Sequence, residues 1–178
     1  MLRVKQVTLH DLRFQNTQEK NLSLHCVFDR VLQFIASEPH REFRFMIGTD
    51  SQVYRNHTTF VTGIVAQRVG KGVWACYRKI KRDGRKSLRE KITMETQLTQ
   101  LIASFFDQQK DWIIREQLPK GSSFTKECHL DIGDGIQNKT RMFVTEMIKV
   151  IETTGYQPKI KPYSYVASHY ANYYTKLG

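Results

Sequence analysis

The sequence has 178 residues, of which 40% are apolar and 25% charged, with a net charge of +11 and a pI near 9.7. This length fits one globular domain with a substantial core and argues against two domains. So large a positive surplus favours a polyanionic partner such as nucleic acid, or less often an anionic membrane surface.

The cysteine content and the N-terminal sequence indicate a reducing compartment. Cys26, Cys76 and Cys128 are odd in number and have no C-x-x-C spacing, which is typical of free thiols and not of a disulfide framework or zinc site. The first ten residues lack the apolar segment of a signal peptide, and no apolar run approaches membrane-spanning length. We therefore expect a soluble, cytoplasmic protein without a membrane partner.

The spacing of apolar residues predicts a single domain over residues 1–178. An N-terminal arm and a helix occupy residues 1–40, because the apolar residues from Leu24 to Ile35 follow helical spacing. The core occupies residues 41–178. Its predicted elements, in chain order, are strands at 42–48, 58–69 and 72–82, a helix at 87–106, a strand at 126–133, a helix at 138–155, a strand at 157–162 and a helix at 163–176.

This order of elements predicts an α/β fold. Three antiparallel hairpin strands followed by alternating helices and strands form a mixed sheet with helices on its faces. In such sheets, ligands usually bind beyond the carboxyl ends of the parallel strands. Charged residues at those strand ends are therefore the first candidates for a functional site.

Two predicted strands lead into an aspartate. Asp50 follows an apolar strand and stands between Thr49 and Ser51, and Asp131 follows the apolar part of "HLDIG". If the two strands are neighbours, their carboxylates emerge together. Alternatively, Asp50 belongs to a turn, since Asp and Ser suit turns; a turn is the better interpretation of nearby Asp134.

Glu95 is the third candidate carboxylate. At about 100° per residue, it falls in the middle of a helical apolar stripe, whose members are Leu88, Ile92, Leu98, Ile102 and Phe106. An inward carboxylate is costly unless it is paired, protonated or metal-bound. The alternatives are that Glu95 lies at the open end of the stripe or pairs with a core Arg or Lys. Together, Asp50, Glu95 and Asp131 would make an oxygen-ligand set suited to Mg²⁺ or Mn²⁺.

A dense run of cations precedes and opens the Glu95 helix. Lys and Arg side chains at this density neutralise phosphates, although a solvated hairpin is the simpler alternative. Nearby aromatic side chains either stack on bases or belong to the core. The cations are Arg78, Lys79, Lys81, Arg82, Arg85, Lys86, Arg89 and Lys91, and the aromatics are Trp74, Tyr77, Tyr165, Tyr170, Tyr173 and Tyr174.

Four ordered blocks resemble those of a bacterial family of RNase H-like proteins of unassigned function. They are "IGTDSQ", "KSLREKITMETQL", "HLDIGDG" and "KPYSYVASHYAN", and the resemblance covers residues 24–176. It implies the RNase H-like fold of the ribonuclease H-like superfamily. It also implies an acidic catalytic site made of Asp50, Glu95 and Asp131.

The sequence departs from this family at the end of the fourth block. The family pattern there is A-S-x-x-A-D, whereas this chain has Asn172 in place of the aspartate. An amide oxygen can ligate a metal but brings no charge. His169 is a second candidate ligand on the same helix, with a surface or capping role as its alternative.

The leading functional prediction is a divalent-metal-dependent nuclease acting on RNA, DNA or their hybrid. In that scheme Asp50 bridges two cations, Glu95 and Asp131 hold the cation near the leaving group, and Asn172 supports the other. The second prediction is a catalytically impaired nucleic-acid-binding protein. The third is phosphate transfer or ATP hydrolysis, since two blocks faintly resemble the phosphate loops of actin-like ATPases, which need two such domains.

Overall fold

A five-stranded mixed sheet forms the centre of the protein in a computed structural model that describes residues 8–177. The strand order is β3-β2-β1-β4-β5, with β1 to β3 antiparallel and β4 and β5 parallel to β1. The predicted α/β fold with a mixed sheet is confirmed. The strands are β1 Glu42–Val53, β2 His57–Arg68, β3 Val73–Asp83, β4 Ser123–Leu130 and β5 Gln157–Lys159.

Helices cover both faces of this sheet. The α-helices are α1 Leu24–Ser37, α2 Leu88–Phe105, α3 Gln108–Glu116, α4 Val144–Glu152 and α5 Asn172–Lys176. A π-helical segment, Val166–Ala171, runs directly into α5; we call residues 166–176 the C-terminal helix. Residues 1–7 of the predicted N-terminal arm lie outside the described residues. Within residues 8–177, no helix is long and apolar enough to cross a bilayer.

Alternation along β1 separates two apolar layers. Phe43, Phe45 and Ile47 belong to the main core, together with residues of α1, α2 and α4. Met46 points to the opposite face and packs with Val166 of the C-terminal helix. Side chains on β1 therefore reach α2 or the C-terminal helix according to whether their number is odd or even.

Several boundaries differ from the prediction. β1 continues through Asp50 to Val53, because β2 pairs with it to that point. Asp50 is therefore inside a strand and not in a terminal turn. The helix expected from residue 138 begins only at Arg141 as a 3₁₀ turn and at Val144 as an α-helix.

Helix α3 has no counterpart in the predicted elements. Its only buried residue is Ile114, although Trp112, Ile113 and Ile114 are consecutive apolar residues. Three adjacent apolar residues point in different directions around a helix and form no stripe. Asp107 caps the helix by accepting a hydrogen bond from the backbone N–H of Lys110 at 3.1 Å.

The C-terminal helix lies directly on β1 at Gly48. A Cβ at this position would be 2.7 Å from the backbone nitrogen of Ala167, so only glycine permits the contact. The start of the helix is also fixed by the backbone N–H of Val166, which donates to Nδ1 of buried His129 at 3.0 Å. This docking sets the position of every side chain that the helix presents to Asp50.

A buried ionic network supports that docking. Nε2 of His129 lies 2.8 Å from Oε2 of Glu127, which also accepts from Arg44 at 2.8 Å. Burial opposes ionisation of Glu127, but hydrogen bonds from His129 and Arg44 outweigh it and hold the Glu127 pKa at about 2. Burial lowers the pKa of His129, and because its Nδ1 accepts a hydrogen bond, the ring is neutral.

Candidate active site

The register of the parallel strands brings Asp50 and Asp131 to the same place. Thr49 of β1 pairs with Leu130, the last residue of β4. Asp50 directly follows Thr49, and Asp131 directly follows Leu130. Asp50 is 4% exposed, and burial, followed by the charge of Asp131, raises the pKa of its carboxyl group. Two carboxyl groups therefore meet where β4 leaves the sheet.

Glu95 reaches this end of the sheet from α2. It is 7% exposed, and its Oε1 accepts a hydrogen bond from the Ser51 hydroxyl at 2.5 Å. Burial, then the charge of Asp50, with a smaller contribution from Asp131, raises the Glu95 pKa to about 8. The inward position expected from helical spacing is confirmed, and the hydrogen-bond partner is a hydroxyl and not a core cation.

Asn172 is also brought to Asp50. Its Nδ2 donates to Oδ2 of Asp50 at 2.9 Å, and the Thr175 hydroxyl lies 3.5 Å from the same oxygen. The hydrogen bond from Asn172 partly offsets the effect of burial on the Asp50 pKa. An amide at this position thus satisfies Asp50 where a fourth carboxylate would repel it.

Asp131 retains unused acceptor capacity. Its Oδ1 is buried and accepts no aligned hydrogen bond, although Nζ of Lys161 lies 3.2 Å away as an ion pair. A buried carboxylate oxygen without a hydrogen-bond donor is costly. The Lys161 ammonium already offsets part of that cost, and a divalent cation would offset it further.

The carboxyl groups do not form a closed metal cage. Among residues 8–177, no three His, Cys, Asp or Glu side chains are grouped closely enough to hold a metal ion. Glu95 nevertheless keeps its proton, chiefly because burial opposes its ionisation, and repulsion by the charges of Asp50 and Asp131 adds to that effect. A hard divalent cation would offset this repulsion, so the chemistry of the donor set fits such an ion.

His169 is not placed with the carboxyl groups. Its ring is exposed, lies 3.1 Å from the Ser168 hydroxyl through Nδ1, and stacks on Tyr165 with ring centroids 5.8 Å apart. It lines a surface groove together with Asn172. Its polar partner is thus a residue of its own helix.

The predicted basic run is divided between the two faces of edge strand β3. Arg78 pairs with Thr62, and the Thr62 hydroxyl contacts Thr49, so Arg78 lies on the face of the sheet that α2 covers. Arg82 is four residues further along β3 and lies on the same face. Lys79 and Lys81 lie on the opposite face, where Nζ of Lys79 donates to the backbone carbonyl of Leu177.

The remaining cations of the run lie in the loop before α2 and on α2 itself. Arg85 and Lys86 are in the loop, and Arg89 forms an ion pair with Glu146 of α4 at 3.3 Å. Lys91 lowers the pKa values of both Asp50 and Glu95, against the effect of burial. Sequence reasoning counted Lys91 in the run but missed its place at the site, although it lies four residues before Glu95 and so on the same side of the helix.

Comparison with known proteins identifies a family to which this chain is similar. The family model described as "Ribonuclease H-like" matches residues 26–176. The chain is 39% identical over 168 residues to the uncharacterized protein YkuK of Bacillus subtilis (strain 168), covering 92% of this chain and 96% of the relative. The resemblance predicted from four sequence blocks is confirmed, and the matched range includes all three carboxyl groups and Asn172.

Proposed function

Because this chain belongs to the ribonuclease H-like family, we propose that it is a divalent-metal-dependent nuclease that hydrolyses phosphodiester bonds of RNA, DNA or their hybrid. The observation that carries the proposal is the placement of Asp50, Glu95 and Asp131 at one end of the sheet, where burial, then the charge of Asp50, raises the Glu95 pKa to about 8. A fold alone does not fix function, so the proposal depends on this site.

Asp50, Glu95 and Asp131 would hold Mg²⁺ or Mn²⁺, with the Asn172 amide as a further candidate ligand. The bound metal would supply an activated water and stabilise the leaving oxygen. The protein's own part is orientation. Ser51 fixes the Glu95 carboxyl group through its hydroxyl, while Asn172 fixes Asp50 from the C-terminal helix.

The net charge of +11 supports a nucleic-acid substrate. Cations on both faces of β3 and at the start of α2 would contact phosphates on either side of the site. We assign this role to Arg78, Lys79, Lys81, Arg82, Arg85, Lys86 and Arg89.

A second candidate function is nucleic-acid binding without efficient cleavage. Asn172 favours it, because its amide donates to Asp50 at 2.9 Å where the family pattern has an acidic residue. A donor at that position satisfies Asp50 without a metal. The two candidates differ in one measurable property, metal-dependent cleavage.

A cleavage assay on RNA, DNA and hybrid substrates tests the proposal, with ATP hydrolysis as a control for phosphate transfer. We expect cleavage in Mg²⁺ or Mn²⁺ and none with a chelator. Asp50→Asn should reduce the rate at least about a hundredfold, whereas Asp134→Asn, at an exposed loop carboxylate, should not. Absence of metal-dependent cleavage on all three substrates would overturn the nuclease proposal and favour the binding protein.

A further inference from the structure

The C-terminal helix, together with Tyr165 directly before it, presents aromatic rings on two sides. Tyr170 packs against the small apolar cluster on β1 and β2, and Tyr174 stacks on Tyr77 with centroids 3.7 Å apart. Tyr165 and Tyr173 instead face solvent, with exposures of 50% and 61%. The first pair holds the helix on the sheet, and of the two outward rings Tyr173 touches that pair edge-on, through Tyr174 at 5.0 Å.

His169 completes the outward set. It stands four residues from both Tyr165 and Tyr173, and all three side chains are exposed. Its ring is exposed and stacks nearly parallel to Tyr165, at 5.8 Å and 18°. We call Tyr165, His169 and Tyr173 the aromatic platform.

The platform borders a groove that leads to the candidate active site. The groove is lined by Ser168, His169, Asn172, Tyr173, Lys176 and Leu177. Asn172 is shared between this groove and the site, because its amide donates to Asp50 at 2.9 Å. A molecule lying in the groove is therefore one side chain away from the proposed reacting centre.

Positive charge accompanies the rings. Lys176 lines the groove, and Lys79 is tied to its end through the carbonyl of Leu177. Lys81 follows on the same face of β3. Flat exposed rings beside cations match the chemistry of a polyanion that carries planar bases.

We propose that the aromatic platform binds the unpaired bases of single-stranded nucleic acid, while Lys79 and Lys176 contact its phosphates. Bases of a duplex are already stacked on both sides, so rings on a helix surface gain little from them. The inference rests on the proposed function and narrows its substrate: the strand that reaches Asp50 is single-stranded at that point.

Binding of labelled oligonucleotides, measured by fluorescence anisotropy in a chelator, tests this inference without cleavage. Tyr173→Leu should weaken binding of a single strand about tenfold and leave a duplex of the same sequence within about twofold. Tyr173→Phe keeps the ring and should keep wild-type affinity. Trp112→Leu is the matched control, because Trp112 is a 62% exposed aromatic residue on α3. Helix α3 contacts Phe124 at the start of β4, at the end of the sheet away from the site.

An abasic oligonucleotide separates stacking from charge. It keeps the phosphates but has no bases, so wild type and Tyr173→Leu should bind it equally. Unchanged single-strand affinity in Tyr173→Leu, an equal loss on the abasic strand, or an equal loss in Trp112→Leu would overturn the platform.

The outcome is distinguishable from that of the nuclease proposal. Metal-dependent cleavage by the wild type together with unaltered binding by Tyr173→Leu would overturn the platform and leave the nuclease proposal standing. A tenfold loss of single-strand binding in Tyr173→Leu, without cleavage by the wild type, would support the platform and overturn the nuclease.

Discussion

At Glu95, burial opposes ionisation more strongly than any neighbouring charge or hydrogen bond does, and the pKa of the carboxyl group rises to about 8. The hydroxyl of Ser51 and the charge of Lys91 act in the other direction but are outweighed. Without a cation, the folded protein therefore keeps a proton on Glu95 at neutral pH. That proton links the stability of the fold to the occupancy of the site.

Stability without divalent cations should fall as pH rises through the window between 4.5 and about 8. The folded protein holds a proton there that the unfolded chain releases near 4.5, so each rise in pH favours unfolding. The loss above the folded pKa is on the order of 5 kcal/mol. Glu95→Gln removes this component, and urea unfolding of both proteins at about pH 5 and about pH 9 measures it. Equal pH dependence in the two would contradict the buried, protonated Glu95.

Asn172→Asp changes the charge at Asp50 with little change in shape. Without divalent cations, a carboxylate in place of the amide 2.9 Å from Asp50 should lower the melting temperature. In Mg²⁺ the added charge should reduce the concentration for half-maximal cleavage by about tenfold. Melting curves and rates measured against Mg²⁺ test both effects, and superimposable curves for the two proteins would remove Asn172 from the site.

Helical spacing alone could place Glu95, because its neighbours Ile92 and Ile102 on the stripe are buried in the structure. The same spacing wrongly grouped Leu88 with them; it opens α2 and remains 39% exposed. The bond from Asn172 to Asp50 spans 122 residues. No local pattern reports such a contact, because it depends on how the C-terminal helix docks.

The polar end of β1 shows why an element can exceed its predicted length. "TDSQ" has the composition of a turn, yet β2 pairs with it to Val53. Its hydroxyls have partners from α2: Thr49 contacts Thr99 at 2.9 Å, and Ser51 donates to Glu95. A segment with turn-like composition therefore forms a strand when a helix that follows much later in the sequence supplies partners for its hydroxyls.

The role of the basic residues should be visible in the salt dependence of nucleic-acid binding. If the cations at the end of β3 and in the loop after it contact phosphates, log K for duplex DNA falls with log salt by about 0.9 per contact. Arg82→Ala, Arg85→Ala and Lys86→Ala together should make the slope shallower by up to about three contacts. A matched triple variant, Arg41→Ala, Lys71→Ala and Lys120→Ala, removes cations at the opposite end of the sheet and should not. Equal slopes in both variants would mean a solvated hairpin.

Across the whole molecule, the site depends on the docking of the C-terminal helix. Gly48 allows that helix to touch β1, and His129 binds its first backbone N–H. The order of strands and helices was enough to predict the fold, because few sheets accommodate it. It could not predict the π-helical segment, 166–171, since residues within it have no distinctive composition.

Calorimetric titration with Mn²⁺ tests most directly whether Asp50, Glu95 and Asp131 jointly hold a divalent cation. In two buffers of different ionisation enthalpy near pH 7, binding should release about one proton, because Glu95 keeps its proton with a pKa of about 8 until a cation displaces it. Glu95→Gln should release none, Asp50→Asn should bind far more weakly, and Asp134→Asn should match the wild type. Binding without proton release, or equal binding by wild type and Asp50→Asn, would contradict the site.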